Sequence, residues 1–345
     1  MTTAGADHRL VEALAARAGR TAAVGPWDSG SLAALATAGT LGEFVPVAHG
    51  GAGAGEGRRL DLLATVAEQC LTTALVLSQW AAAVRLVEGA DDAVRTRELP
   101  ALARGERFTT IGISQLTTSR RHLGRAAVRA SSGVGGWRLD GECPWVSGAD
   151  RADTLVTGAL DADGVPRFFL VDTAAPGVRI DPPLELLALS GSRTTTVGLA
   201  AVSPSAVLEA PPGGPRAGGL ATIALALGTA RAAVAMVARE AADRAELSPI
   251  AAALGAEATA IGAELARAAE TGIRPEARDA LRTRATGLAL RATQAALTAA
   301  KGAGFVVGHP AERLVREACF FLVWSCPPAV AGSVLCTLAG ISGPA

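Results

Sequence analysis

Two long helix-forming regions enclose a central stretch of short strand-like runs, and this order limits the folds open to the chain. The first helical region contains a window from Asp61 to Glu88 that has no Gly or Pro and is rich in Ala and Leu. From about Phe108, short runs rich in Val, Thr, Phe and Trp alternate with turn residues. Helix-forming sequence returns after a Pro- and Gly-rich linker over residues 210–219. Helix and strand in separate blocks predict an α+β fold built from subdomains.

This order divides the chain into three predicted units. They are an N-terminal helical domain over residues 1–107, a central antiparallel β domain over residues 108–212 and a C-terminal four-helix bundle over residues 213–345. Within the bundle, composition and breaks at Gly and Pro predict helices over residues 220–246, 249–271, 274–305 and 310–325. Pro275 and Pro310 would then lie in the first turn of a helix, where no intrahelical N–H is needed.

Composition excludes several classes of protein. Half of the 345 residues are hydrophobic, so the chain can bury a large core and is not disordered as a whole. The 32 basic and 32 acidic residues cancel, and no long basic tract marks a nucleic-acid footprint. The chain has no Tyr, which excludes tyrosyl chemistry, and a Schiff base would have to form at Lys301, the only lysine.

The cysteines and histidines show no metal-ligand spacing. Five cysteines are scattered without a C-x-x-C pair, and the four histidines are isolated. We therefore expect reduced thiols, a cytoplasmic protein and no metal site. Asp7, Arg9 and Glu12 interrupt the apolar residues near the start, so we predict no signal peptide.

The most apolar stretch of the chain runs from Ala318 to Ile341. Its length would permit a membrane span, but Pro327 and Pro328 interrupt it and each removes a backbone donor. We predict two buried helices here and no membrane association. Because a helix that is apolar on every face must be covered, we also expect a homodimer or homotetramer.

A candidate ligand site lies in the central unit, between Gly136 and Asp153. Trp145 is followed two residues later by Ser147, so a regular strand would place both side chains on one face. An indole face beside a hydroxyl group suits a planar heteroaromatic ligand. The alternative is that Trp145 is a core residue, which is the commoner role of a strand Trp.

A wider pattern resembles the acyl-CoA dehydrogenase superfamily. Gly141–Asp153 reads G-E-C-P-W-V-S-G-A-D-R-A-D, where that family has G-E-K-x-W-I-T-N-G-x-x-A-D. Further segments resemble family motifs in the same order, namely Leu41–Gly53, Phe108–Ser119, Leu189–Thr195 and Pro310–Ala318. The resemblance covers nearly the whole chain. It implies the acyl-CoA dehydrogenase fold, with a helical domain, a β domain and a helical bundle.

The resemblance also implies a bound flavin, FAD or alternatively FMN. In the family, the residue that matches Trp145 packs on the flavin ring, and the one that matches Ser147 bonds the ring edge near N5. The other positions that match flavin-binding segments are Ser114, Gln115, Val146, Arg244, Gly302 and Gly304. The motifs that match the outer half of the cofactor, its diphosphate part, are poorly kept, because Arg244 is one residue out of register with the family's R-x-x-F-G-x-P.

The resemblance ends at the catalytic base. Ser325 stands at the position of the family's usual glutamate, and residues 217–239, which hold the base in some members, contain no acid. A serine hydroxyl is a far weaker base than a carboxylate unless a neighbour activates it. We therefore name Ser325 as the residue at the expected base position.

Three functions remain open from the sequence. The first is a flavin-dependent oxidoreductase that acts on an acyl thioester or a similar small molecule without the usual glutamate. The second is a two-component flavin monooxygenase of the same superfamily, in which the flavin strand often reads S-G-A, as at residues 147–149. The third is a non-catalytic or flavin-free homologue. The implied partners are the substrate and either a flavin reductase or an electron-transfer protein.

Overall fold

The computed structural model describes residues 10–14, 29–117, 127–210, 219–324 and 326–341. The helices before the sheet are α1 (Ser29–Thr37), α2 (Glu56–Gln69), α3 (Leu71–Val87) and α4 (Asp92–Arg104). The helices after it are α5 (Leu220–Ala241), α6 (Ser248–Thr271), α7 (Pro275–Ala299), α8 (Pro310–Ala318) and α9 (Pro328–Ala339). The strands are β1 (Thr109–Gly112), β2 (Val128–Gly133), β3 (Gly136–Val146), β4 (Thr154–Leu160), β5 (Pro166–Asp172), β6 (Val178–Ile180), β7 (Thr195–Val202) and β8 (Ala206–Leu208). The predicted order of helix, sheet and helix is confirmed.

The strands form one sheet in the order β6-β7-β3-β2-β4-β5-β8, with β1 paired to β4. Most neighbouring strands are antiparallel, as predicted, but β1 runs parallel to β4 from the Thr109–Thr154 pair to the Gly112–Thr157 pair. A parallel pair needs a long connection, and the β2–β3 hairpin between β1 and β4 is part of that connection. β2 also pairs with β4 in parallel, at Arg129 and Leu160, so the sheet is mixed.

The long helical window of the N-terminal region is broken at Cys70. This residue ends α2 and precedes α3 with an extended backbone, at φ −153° and ψ 103°. Its buried thiol accepts a hydrogen bond from the Thr73 hydroxyl at 3.3 Å. Composition does not mark this break, because the window from Asp61 to Glu88 contains neither Gly nor Pro.

The C-terminal helices pack around α5, which lies against α2 on one side and α7 on the other. Gly228 permits the close approach to α2, since a Cβ built on it would lie 2.2 Å from the Ala64 carbonyl oxygen. In the described ranges, α5 alone is long and apolar enough to cross a membrane by length and composition, and 61% of its most apolar window is buried inside the protein.

The apolar segment from Ala318 to Ile341 is only partly buried in a single chain. A short 3₁₀ turn over Cys319–Leu322 buries Phe321, and α9 follows after the proline pair. On α9, however, Leu335 is 66% exposed and Leu338 is 61% exposed. One face of α9 therefore has no neighbour among the described residues, and the predicted homodimer or homotetramer would cover this face. The first of the two predicted helices is present only as the end of α8 and the 3₁₀ turn that follows it.

Candidate active site

Trp145 lies at an irregular point near the end of β3. The pairing of β3 with β7 changes register between Cys143 and Val146, and Trp145 has a φ of 62°. Left-handed backbone at a residue other than Gly costs about 1–3 kcal/mol, so the surrounding structure must hold it. The indole is 53% exposed, which excludes the core role in the chain as described. Val146 beside it is fully buried in the sheet core.

Two hydrogen bonds fix the backbone on either side of Trp145. The Ser114 hydroxyl donates to the Pro144 carbonyl oxygen at 2.8 Å. The Thr110 hydroxyl donates to the Ser147 carbonyl oxygen at 2.7 Å. Both donors belong to the β1 region, so the parallel β1 strand and the turn after it support the irregular end of β3. This arrangement presents the indole to solvent from a rigid base.

Gln115 faces the interior of the sheet. Its side-chain nitrogen donates to the carbonyl oxygens of Gly112 at 3.0 Å and Gly158 at 2.9 Å, so it joins the β1 and β4 region. Its side-chain oxygen is buried and has no hydrogen-bond partner among the described residues. Because both amide protons are used by the sheet, Gln115 positions the strand end beside Ser114.

Ser147 is buried and heads a chain of hydroxyl groups. Its Oγ lies 2.8 Å from Thr194 Oγ1, which in turn lies 2.8 Å from Ser192 Oγ. The backbone also joins these segments, because Gly148 N–H donates to the Ser192 carbonyl oxygen at 2.9 Å. The bulge at Trp145 breaks the strict alternation on which the sequence analysis relied, so Trp145 is exposed while Ser147 is enclosed.

Sequence reasoning did not single out Thr194 or Ser192. The Leu189–Thr195 segment was matched to a family turn as a whole, without a role for its hydroxyls. Both Leu189 and Arg193 have positive φ, which makes the turn tight. The Arg193 guanidinium also pairs with Asp150, which lies three residues beyond Ser147. The hydroxyl-rich turn is thus fixed against the end of β3.

Arg244, Gly302 and Gly304 meet at a second place, between the ends of α5 and α7. The Arg244 guanidinium donates to Glu240 and to the Ala299 carbonyl oxygen. The turn Lys301–Phe305 follows directly. Gly304 is buried there, whereas a Cβ on Gly302 would meet open space. No hydrogen bond or ion pair between described residues connects this group to Trp145 or Ser147.

Ser325 lies outside the described residues, but its neighbours are defined. Arg282 of α7 is almost wholly buried and donates to the Trp324 carbonyl oxygen at 2.6 Å. Burial lowers the pKa of this guanidinium. Burial also raises the pKa of the Cys326 thiol, and the charge of Arg282 partly offsets that rise. The Trp324 backbone, next in sequence to the expected base position, is therefore held by a cation.

The acids of α8 are both engaged. Glu317 is fully buried, and burial raises the pKa of its carboxyl group against the opposing effect of Arg313, whose Nη1 lies 3.2 Å from Glu317 Oε2. Hydrogen bonding by Arg316 lowers the pKa of the Glu312 carboxyl group. Neither carboxylate is left unpaired for proton abstraction.

The described part of the chain contains neither a disulfide bond nor a cluster of metal-ligating side chains. No group of three or more His, Cys, Asp or Glu residues there is arranged to hold a metal ion. All five cysteines are free. Burial raises the pKa of the Cys143 thiol to about 12, so this residue is an inert core thiol.

Comparison with known proteins gives matches at the level of structure. No protein-family profile matches the sequence, and no curated protein sequence matches it. FkbI for biosynthesis of a methoxymalonyl extender unit has 21% identity and a TM-score of 0.82, over 96% of this chain and 98% of that one. Butyryl-CoA dehydrogenase from Megasphaera elsdenii has 18% identity and a TM-score of 0.83, over 96% and 97%. Dibenzothiophene monooxygenase from Paenibacillus sp. A11-2 has 16% identity and a TM-score of 0.71, over 99% and 98%. The chain therefore has the acyl-CoA dehydrogenase fold, with a sequence far diverged from its solved members.

Proposed function

We propose that this protein is a flavin-dependent oxidoreductase of a small-molecule substrate such as an acyl thioester. The observation that carries the proposal is the exposed indole of Trp145 beside the buried hydroxyl of Ser147, within the acyl-CoA dehydrogenase fold. A large apolar ring held in solvent by a strained backbone is costly unless it contacts a ligand. A flavin ring would cover the indole and accept a hydrogen bond.

The residues near Trp145 suit the ring of a flavin well. Arg244, Gly302 and Gly304 suit the diphosphate part of FAD less well. Trp145 would stack on the ring, Ser147 would donate to its edge, and Ser114 would hold the strand end. Arg244 is already bonded within the chain, so its capacity to hold a diphosphate is reduced. We therefore propose FAD as the cofactor, bound weakly, with FMN as the alternative. When bound, the flavin supplies the electron acceptor or the oxygen-activating group.

Removal of an α-proton from a thioester needs a base whose pKa lies near the working pH. The chain has Ser325 at the usual base position, and Glu317 on α8 is enclosed and paired with Arg313. The chain's own residues would then bind and orient the substrate without efficient proton abstraction. We propose that dehydrogenation by the usual glutamate mechanism is absent.

A two-component monooxygenase is the second candidate. The lack of a carboxylate base supports it, because oxygenation by a reduced flavin does not require an α-proton to be removed from the substrate. A dibenzothiophene monooxygenase is among the structural matches, so a monooxygenase is compatible with this fold. A flavin reductase would then be the partner, whereas the first candidate would use an electron-transfer protein.

Binding of FAD and FMN by the purified protein tests the proposal. Wild type should bind at least one flavin at micromolar to sub-millimolar concentration. Trp145→Ala should weaken binding by about 5- to 150-fold, since stacking on an aromatic side chain contributes about 1–3 kcal/mol. Trp137→Ala is the matched control, because this β3 indole packs edge-on against Phe169 inside the domain. If wild type binds neither flavin at millimolar concentration, both oxidoreductase candidates are wrong.

The same proposal includes assembly and location. The exposed apolar face of α9 would pair with a second copy in a homodimer or homotetramer, and the free thiols fit a reducing cytoplasm.

A further inference from the structure

The hydroxyl groups of Ser147, Thr194 and Ser192 form a chain of two hydrogen bonds, and the donor in each bond decides where the Ser147 proton points. We propose that Thr194 and Ser192 are positioning residues that turn the Ser147 hydroxyl proton outward, toward a ring acceptor of the ligand on Trp145. The inference rests on the proposed flavin function, and it names the residues that make Ser147 a donor rather than an acceptor.

Counting protons gives three arrangements for the three hydroxyls. Ser147, Thr194 and Ser192 are joined by two short contacts of 2.8 Å, and each hydroxyl has one proton. In the inward arrangement, Ser147 donates to Thr194, which donates to Ser192, and the Ser192 proton is left over. In the outward arrangement, Ser192 donates to Thr194, which donates to Ser147, and the Ser147 proton is left over. In the convergent arrangement, Ser147 and Ser192 both donate to Thr194, and the Thr194 proton is left over.

Burial and the position of Trp145 together distinguish the three arrangements. Ser192 is 0% exposed, and its hydroxyl makes no second hydrogen bond among the described residues. An inward chain would leave an unsatisfied donor at that closed end, which is costly. The other end, Ser147, is 4% exposed and lies two residues from the exposed Trp145. The convergent arrangement would leave the proton of Thr194, which is 5% exposed, without an acceptor among the described residues. With a ligand on Trp145, only the outward arrangement gives every hydroxyl proton an acceptor.

The backbone at Ser147 does not depend on this chain. Its carbonyl oxygen is held by the Thr110 hydroxyl at 2.7 Å, and the next residue, Gly148, donates its N–H to the Ser192 carbonyl oxygen at 2.9 Å. A change that removes only the Thr194 hydroxyl should therefore leave the strand end in place. It would free the Ser147 hydroxyl to rotate and to lose its preferred direction.

Removal of the Thr194 hydroxyl should alter the bound flavin in two ways. Binding should weaken by about 3- to 10-fold, the ratio expected for one hydrogen bond. The reduction potential of the bound flavin should become more negative, because a donated hydrogen bond withdraws electron density from the ring. A residue with a merely structural role would not shift this potential.

The test compares Thr194→Val with Thr194→Ser, which keeps the hydroxyl and should restore wild-type affinity and potential. Thr154→Val is the matched control, because it removes another buried hydroxyl that is bonded to a neighbouring threonine, Thr109. Ser192→Ala should have a smaller effect of the same sign, and it serves as the second variant if Thr194→Val does not fold. In a Ser147→Ala background, Thr194→Val should have no further effect on either quantity.

The outcomes separate this inference from the proposed function. If wild type binds no flavin, the function and the inference are both wrong. If wild type binds flavin and loses affinity in Trp145→Ala, but Thr194→Val retains wild-type affinity and potential, only the inference is wrong. It is also wrong if Thr194→Val and Ser147→Ala have independent, additive effects, because Thr194 would then not act through Ser147.

Discussion

The same substitution, Gly to Ala, should have opposite effects on stability at two positions of the helical bundle. Gly228 lies in α5 where it crosses α2, and a Cβ there would lie 2.2 Å from the Ala64 carbonyl oxygen and 2.8 Å from Ala67 Cβ. Gly287 lies in α7, and a Cβ there would meet nothing within 4 Å. Both glycines are inside long helices, so the change in helix propensity is the same at both.

The magnitudes follow from two opposing effects. Alanine in a helix interior is more favourable than glycine by about 0.5–1 kcal/mol. At Gly287 this gain should be realised nearly in full. At Gly228 the contact with backbone forces α5 and α2 apart, and overpacking of this kind costs roughly 1–3 kcal/mol. The net effect of Gly228→Ala should therefore be a loss of up to about 2 kcal/mol.

Denaturant unfolding of wild type and the two variants measures the difference. The midpoint of Gly287→Ala should rise and that of Gly228→Ala should fall, without a large change in the slope of free energy against denaturant. Equal stabilisation by both substitutions would refute the reasoning, because it would mean that α5 does not approach α2 as closely as the structure shows.

Three further predictions concern assembly, pH and catalysis. Leu335→Asp with Leu338→Asp should convert the proposed dimer or tetramer to a monomer in light scattering, and a wild-type mass near 34.6 kDa at micromolar concentration would contradict the assembly. Because burial raises the pKa of the Glu317 carboxyl group, ionisation costs the folded state more than the unfolded state, so stability is lost as pH rises above the ordinary Glu range near 4.3. The free energy of unfolding of wild type minus that of Glu317→Gln should therefore decrease between about pH 4 and pH 7, and a flat or rising difference would contradict this. Wild type should show little acyl-CoA dehydrogenation with an artificial electron acceptor, whereas Ser325→Glu should recover activity within the roughly 10²–10⁴-fold range of a general base, and robust wild-type turnover would show that the base lies elsewhere.

The coarse architecture was predictable because periodicity and composition change along the chain. The helices of the bundle begin at Pro275 and Pro310 as predicted, since proline has one favoured place in a helix. The break at Cys70 was not predictable, because a helix of favourable composition is interrupted there by tertiary packing. Likewise, α7 ends at Ala299 and the chain continues as a 3₁₀ turn, where composition predicted continuous helix to residue 305.

At the candidate site, residue types were more predictable than orientations. The sequence identified Trp145 and Ser147, but alternation could not foresee the positive φ at Trp145, which a β-bulge imposes. The contributions of Thr194 and Ser192 arise from a contact between segments far apart in the chain, and no local pattern encodes it. The sequence predicted that α9 must be covered, because it is apolar on every face, but it could not say which face packs within the chain and which stays exposed.

The fluorescence of bound flavin tests the central claim most directly, because an indole stacked on the ring quenches its emission. At saturating flavin, the wild-type protein should hold FAD or FMN in a strongly quenched state. Trp145→Ala at its own saturating concentration should show bound flavin with much brighter emission, while Trp137→Ala should remain quenched. Equal emission from flavin bound to wild type and to Trp145→Ala would contradict the placement of the ring on Trp145.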